Sequence, residues 1–159
     1  ATAEHGGLSD LGRGAIRRIN TLGGIVDISQ LSKQAALQAM TVSTTPVIAS
    51  HSNARALTNV SRNLSDEELD AIAATGGVVH IAPFAGYLFD SSDPKLDAAI
   101  RSVRRNAGID EDYLYPFELY WEIKDVAIKT EFLTAVRGLL GPIDLDTMLD
   151  HLDLSLIHI

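Results

Sequence analysis

The sequence holds no cysteine, which excludes a disulfide framework, a thiolate metal site and a cysteine nucleophile. Nor does it contain an apolar run near the roughly 18 residues that a membrane-spanning helix needs. Basic residues are few: 13 Lys and Arg stand against 21 Asp and Glu, for a formal net charge of -8. That sign is wrong for a general binder of nucleic acid or anionic membranes, and leaves small molecules or proteins as the expected partners. A Gly-rich phosphate loop, a GxSxG elbow and an HExxH helix are all missing. What remains is a chain of 159 residues, 46% apolar and 21% charged. This is the composition of one globular domain able to hide about 68–70% of its unfolded surface.

Apolar residues at helical spacing (Leu8, Leu11, Ala15, Ile19, Leu22) behind Ser9 predict a helix that Gly23-Gly24 stops. Ile25–Ile28 reads as a strand, Ser32 caps a helix to about Met40, and Pro46–Ser50 is the next strand. Ser65-Asp66-Glu67-Glu68 is a capping-box signal for a helix to Ala74, followed by a third strand at Val78–Ala82. Short apolar strands separated by helices imply parallel pairing and an α/β fold. From Asp93-Pro94 onward only helices are expected, at 94–106, about 116–139 and from about 144. Three parallel strands cannot close a barrel, and as an open sheet they leave two edges and one uncovered face.

In parallel α/β folds the residues just beyond the carboxyl ends of the strands share one rim, where sites are built. Here these are Ser29-Gln30, His51-Ser52-Asn53 and Phe84–Tyr87. Strands lie about 4.8 Å apart, so Gln30 and His51 can reach a common ion at about 2.0–2.2 Å. A hydrogen-bonded rim role for His51 competes with that of ligand. Arg62 can return to the same rim, where its planar fork suits a carboxylate; the competing reading is a surface ion pair. Arg55 reads as a solvated or loop-bracing residue, and Asp27 either orients a rim ligand or is structural. His5, His80, His151 and His158 are read as structural or surface residues, Glu67 and Glu68 as helix N-terminal charge. Trp121, Tyr113, Tyr115, Tyr120 and Phe117 are read as packing.

Four stretches, taken in order, resemble the membrane (renal) dipeptidase family of zinc metallopeptidases, particularly its bacterial members. They are Gly7–Gly12, Gly24–Ser32, Pro46–Leu57 and Arg62–Glu67, and the resemblance covers about residues 6–89. It implies a (β/α)8 TIM barrel with two zinc ions and a metal-bridging water that hydrolyses dipeptides. His51 falls on a ligand of the second metal, Arg62 on the arginine that grips the substrate carboxylate, and Tyr87 on an active-site tyrosine. Gln30 stands where the family has the other His of the second metal, and a carboxamide oxygen is a poorer donor than imidazole, so that site is expected to be weakened.

The resemblance further implies that this is an internal fragment of one barrel domain, about three β/α units in 1–89 and a helical insertion with its following helix in 90–153. The family's His-x-Asp pair, bridging Glu and a further active-site His would precede Ala1, and its Gly-Ser-Asp-Phe-Asp strand would follow Ile159. Residues 154–159 depart from the family and resemble a translated sequencing adapter, so they are expected to be a non-native tail. The isolated chain is expected to be inactive and the intact parent to form homodimers. Ala1–His5 has neither the basic nor the apolar part of a signal peptide, and the compartment, bacterial cytoplasm or export, stays open. Two competing functions are a non-catalytic barrel that binds a peptide or small acid, and another metal-dependent amide or lactone hydrolase.

Overall fold

The computed structural model describes residues 6–158; His5 lies outside them. Its first half alternates helix and strand: α1 (Asp10–Thr21), β1 (Val26–Asp27), α2 (Lys33–Val42), β2 (Val47–Ala49), α3 (Asp66–Ala74) and β3 (Val78–Val79). The caps are the expected ones. Ser9 accepts from the Gly12 amide and Ser32 from that of Ala35, and Ser65 and Glu68 form a capping box. The buried face of α1, however, carries Ile16, with Leu8 and Ile19 packed beside it, while Leu11 and Leu22 stay exposed. Leu8, Gly12, Ile16 and Ile19 make the closer three-to-four-residue row, and that row is the one turned to the sheet.

The sheet order is β1-β2-β3, all parallel, with Val26 opposite Val47 and Ile48 opposite Val78. One face is packed: Val26, Ile28, Val47 and Ala49 join Ala36, Ala39, Met40, Leu69 and Ile72 from α2 and α3 in one core. The other face carries Asp27, Ile48 and Val78 in register, and Asp27 and Val78 are exposed. The third strand is shorter than Val78–Ala82. His80 still donates to the Ala49 carbonyl, but at Ala82 the Asn53 carboxamide takes both backbone groups, accepting from the amide at 2.7 Å and donating to the carbonyl at 3.1 Å. A side chain replaces the ladder there.

The second half is helical: α4 (Ala85–Leu88), α5 (Pro94–Asn106), a 3-10 turn at Tyr120–Glu122, α6 (Val126–Leu140) and α7 (Leu145–His158). The helix predicted from about 116 begins only at Val126, behind the cap Asp125. The buried Arg104 explains the delay, because its guanidinium takes the carbonyls of Asp110, Pro116 and Glu118, which a helix would use for itself. Around this spool Ile100, Phe117, Ile123, Phe132, Val136 and Leu140 form a second core. Arg101 pairs with Asp97 and Asp112, and Arg105 with Glu111. Among the described residues no helix is long and apolar enough to cross a membrane.

Candidate functional site

Ile28–Leu31 turns sharply off β1, closed by the Leu31 amide on the Ile28 carbonyl, and Gln30 adopts φ 67 to make that turn. The left-handed region costs a residue with a Cβ roughly 1–2 kcal/mol, and a polar side chain held there is a mark of a site. Gln30 turns its carboxamide to its neighbours. Its Nε2 lies 2.7 Å from His51 Nε2, and its Oε1 accepts from Arg62 Nη1 at 2.9 Å. Gln30, His51 and Arg62 therefore meet at one mouth beyond the carboxyl ends of β1 and β2.

His51 is oriented from behind. Its Nδ1 is 2.7 Å from Ser50 Oγ, and that hydroxyl donates to Asp27 Oδ2 at 2.5 Å. Asp27 Oδ1 also accepts from the amides of Ser29 and Ser50, while Ser29 Oγ accepts from the His51 amide. Burial raises the Asp27 carboxyl, but the bonds from Ser50 and Ser29 outweigh it and hold the group below its ordinary range. Ser50 is the link that sequence reasoning missed: a serine closing a strand looks like any other, and only the pairing of β1 with β2 brings it to Asp27.

Arg62 is mostly buried among groups from the second half. Its guanidinium stacks 5.4 Å over the Tyr115 ring and lies 3.9 Å from the Glu118 carboxylate. Tyr115 in turn packs against Tyr87 and Phe117. Burial raises both phenols above their ordinary value, with the Arg62 charge pulling partly back. Tyr87 is placed by its backbone, whose carbonyl accepts from Asn63 Nδ2 at 2.9 Å. Tyr115 is therefore more than packing. Neither it nor Glu118 carries a local signal, because the loop that delivers them is shaped by Arg104.

The other candidates take structural places. Arg55 braces its loop by donating to the carbonyls of Val60 and Ser61, and Glu67 pairs with Lys33. His80 is exposed, and its backbone only continues the β3 ladder. His158 pairs with Asp70. His151 is buried and accepts the Ala54 amide on Nδ1, three residues from His51.

A sequence model of the family described as membrane dipeptidase (Peptidase family M19) matches residues 1–113. The chain belongs to that family. Dipeptidase tcpJ of Claviceps purpurea is 44% identical over 85 residues, covering 52% of this chain and 20% of that protein. Dipeptidase verJ of Clonostachys rogersoniana is 37% identical over 93 residues, covering 58% and 24%. The crystal structure of the probable dipeptidase PvdM from Pseudomonas aeruginosa superposes with TM-score 0.79 at 31% identity, over 99% of this chain and 41% of that one. The chain thus spans about a quarter or less of these curated dipeptidases and under half of the solved one.

Family M19 implies a metal cofactor, and the donors on this rim do not fit one as they stand. Among the described residues no three His, Cys, Asp or Glu side chains converge on a point. The imidazole available is His51, whose Nε2 faces an amide nitrogen, and the carboxamide oxygen of Gln30 is turned to a guanidinium.

Proposed function

We propose that this chain is part of a zinc-dependent dipeptidase, a (β/α)8 barrel that hydrolyses the peptide bond of a dipeptide, with Arg62 as its carboxylate clamp. The open sheet face of Asp27, Ile48 and Val78 supports the barrel, since in a closed sheet that face is the interior. The observation that carries the function is the seating of Arg62: Gln30 holds one edge of the guanidinium 2.9 Å away, Tyr115 backs its plane, and its charge points to the rim beside His51. A planar cation fixed in this way is built for a planar anion. Tyr87 lies behind Tyr115 and completes the aromatic wall. Zinc is the cofactor that the family resemblance supports for the whole enzyme, in a family pattern of two ions, with Gln30 standing where that pattern has one imidazole of the second.

In the full-length dipeptidase carrying this segment, Arg62→Met is expected to lower kcat/KM about 10–100-fold, the loss of one charge-assisted pair. Dipeptide amides, which lack the carboxylate, should be equally poor substrates for both forms. Equal turnover of dipeptides and their amides by the unmodified enzyme would remove Arg62 from the role. The Gln30–His51 contact also favours a second reading, a barrel that binds dipeptides without cutting them. Binding that depends on Arg62 with no hydrolysis product would establish it.

A further inference from the structure

The hydrogen bonds of the rim can be followed proton by proton. Asp27 is a carboxylate and only accepts, so the Ser50 hydroxyl spends its one proton on Asp27. Ser50 Oγ is then an acceptor for His51 Nδ1–H. A neutral imidazole has one N–H, so Nε2 carries a lone pair, and the group facing it at 2.7 Å must donate. That group is the Gln30 amide nitrogen. The opposite end of Gln30 accepts from Arg62. Reversing the carboxamide would set NH2 against a guanidinium and oxygen against a lone pair, so both neighbours select the same orientation. The bonds run in one sense, from the Arg62 cation through Gln30, His51 and Ser50 to the Asp27 anion, an arrangement in which each bond polarises the next.

From this geometry we propose that Gln30 is a built-in plug of the ion position on His51. Its N–H occupies the one ring nitrogen able to coordinate, and its oxygen fixes Arg62, so the rim keeps its carboxylate clamp oriented with no ion on His51. The inference rests on the placement of Arg62 proposed above and goes beyond a weakened ligand, because it assigns the carboxamide the opposite effect. A ligand adds to metal affinity; a plug subtracts from it. Bringing the Gln30 oxygen to an ion would break two hydrogen bonds at once, one to His51 and one to Arg62. The left-handed backbone of Gln30 belongs to the same device, since it aims the side chain along the rim.

The test uses the 159-residue chain, zinc as the probe, and the side-chain 15N resonances of His51. Without zinc, His51 should show a protonated Nδ1 and a hydrogen-bonded, unprotonated Nε2. On adding zinc, Nε2 of the unmodified chain should stay in place over a range where the variants respond. Gln30→Ala should raise the affinity of His51 for zinc about tenfold, the effect of removing one hydrogen bond that competes for the same lone pair. Gln30→Asn, which tolerates the left-handed backbone but is one methylene short, should do the same if the alanine variant fails to fold. Gln30→His should bind more tightly than any of these and shows that the folded chain can report binding. Weaker zinc binding in Gln30→Ala would make Gln30 a ligand and overturn the proposal, as would equal binding in the two. A failure of the dipeptidase reading shows separately, as carboxylate recognition indifferent to Arg62, and leaves the zinc comparison unaltered.

Discussion

Ser50 holds the His51 ring and His151 holds the Ala54 amide three residues further along, and each gives a measurable consequence. Ser50→Ala cuts the link between Asp27 and the imidazole, leaves the Asp27 carboxylate one donor short, and should cost about 1 kcal/mol in urea unfolding at this partly exposed position. The sharper readout is the His51 ring, whose two tautomers should become mixed in the 15N spectrum. His151 sets a pH limit. Burial pushes its imidazolium form down in pKa, with Asp150 pulling partly back, and its Nδ1 must stay unprotonated to accept the Ala54 amide. Unfolded, the ring titrates at its ordinary value of about 6.5. The contribution to stability is thus complete above that pH and is lost as the pH falls below it toward the depressed folded value. His151→Gln can accept from Ala54 without titrating, so it should flatten the fall in unfolding free energy below about pH 6.5. An unchanged slope would assign the acid sensitivity to another group.

Gly77 and Arg104 hold the two halves at the level of elements. A Cβ on Gly77 would stand 2.3 Å from the Val47 carbonyl oxygen, where α3 returns the chain to β3 alongside β2. Backbone cannot yield as a flexible side chain can, so Gly77→Ala should cost about 1–3 kcal/mol in denaturant unfolding. Gly14→Ala, with open space around its Cβ inside α1, is the control, and it should be neutral or stabilising. Arg104→Met keeps the volume but leaves three carbonyls without their donor, and should cost roughly 2–4 kcal/mol. Amide exchange should then quicken in 107–119 while β1, β2 and β3 keep their protection. Since that segment carries Tyr115 and Glu118 to Arg62, the same variant should loosen the guanidinium, visible as line broadening of its side-chain signals.

The whole molecule leaves apolar surface uncovered. Val78 on the open sheet face, Leu11 in the first turn of α1, Leu22 and Ile25 between α1 and β1, and Val126 and Ile157 on the later helices are all exposed, Leu11 at 85% and Val126 at 77%. Faces of this kind associate, and the net charge of -8 opposes that association. The chain is therefore expected to self-associate with concentration in sedimentation velocity, and more strongly as added salt screens the repulsion. A single monomeric boundary at all concentrations and salt levels would refute this.

Local chemistry was enough for the caps at Ser9, Ser32 and Ser65, the parallel order of the strands, and the meeting of Gln30, His51 and Arg62, because strand ends and turn residues are short-range properties. The family was legible in four short stretches for the same reason: two run through β1 and β2 into the turns beyond them, and two lead into the capped starts of α1 and α3. The late start of α6, the truncation of β3, the true inner face of α1, and the arrival of Ser50, Tyr115 and Glu118 at the rim were decided only in three dimensions. Each depends on a side chain reaching a backbone or partner distant in sequence, as Arg104 reaches Glu118 and Asn53 reaches Ala82. Such bonds compete with local preference and prevail only once packing has excluded water from both ends. The sequence named Gln30 as a departure from its family; the fold alone determined which end of its carboxamide faces His51.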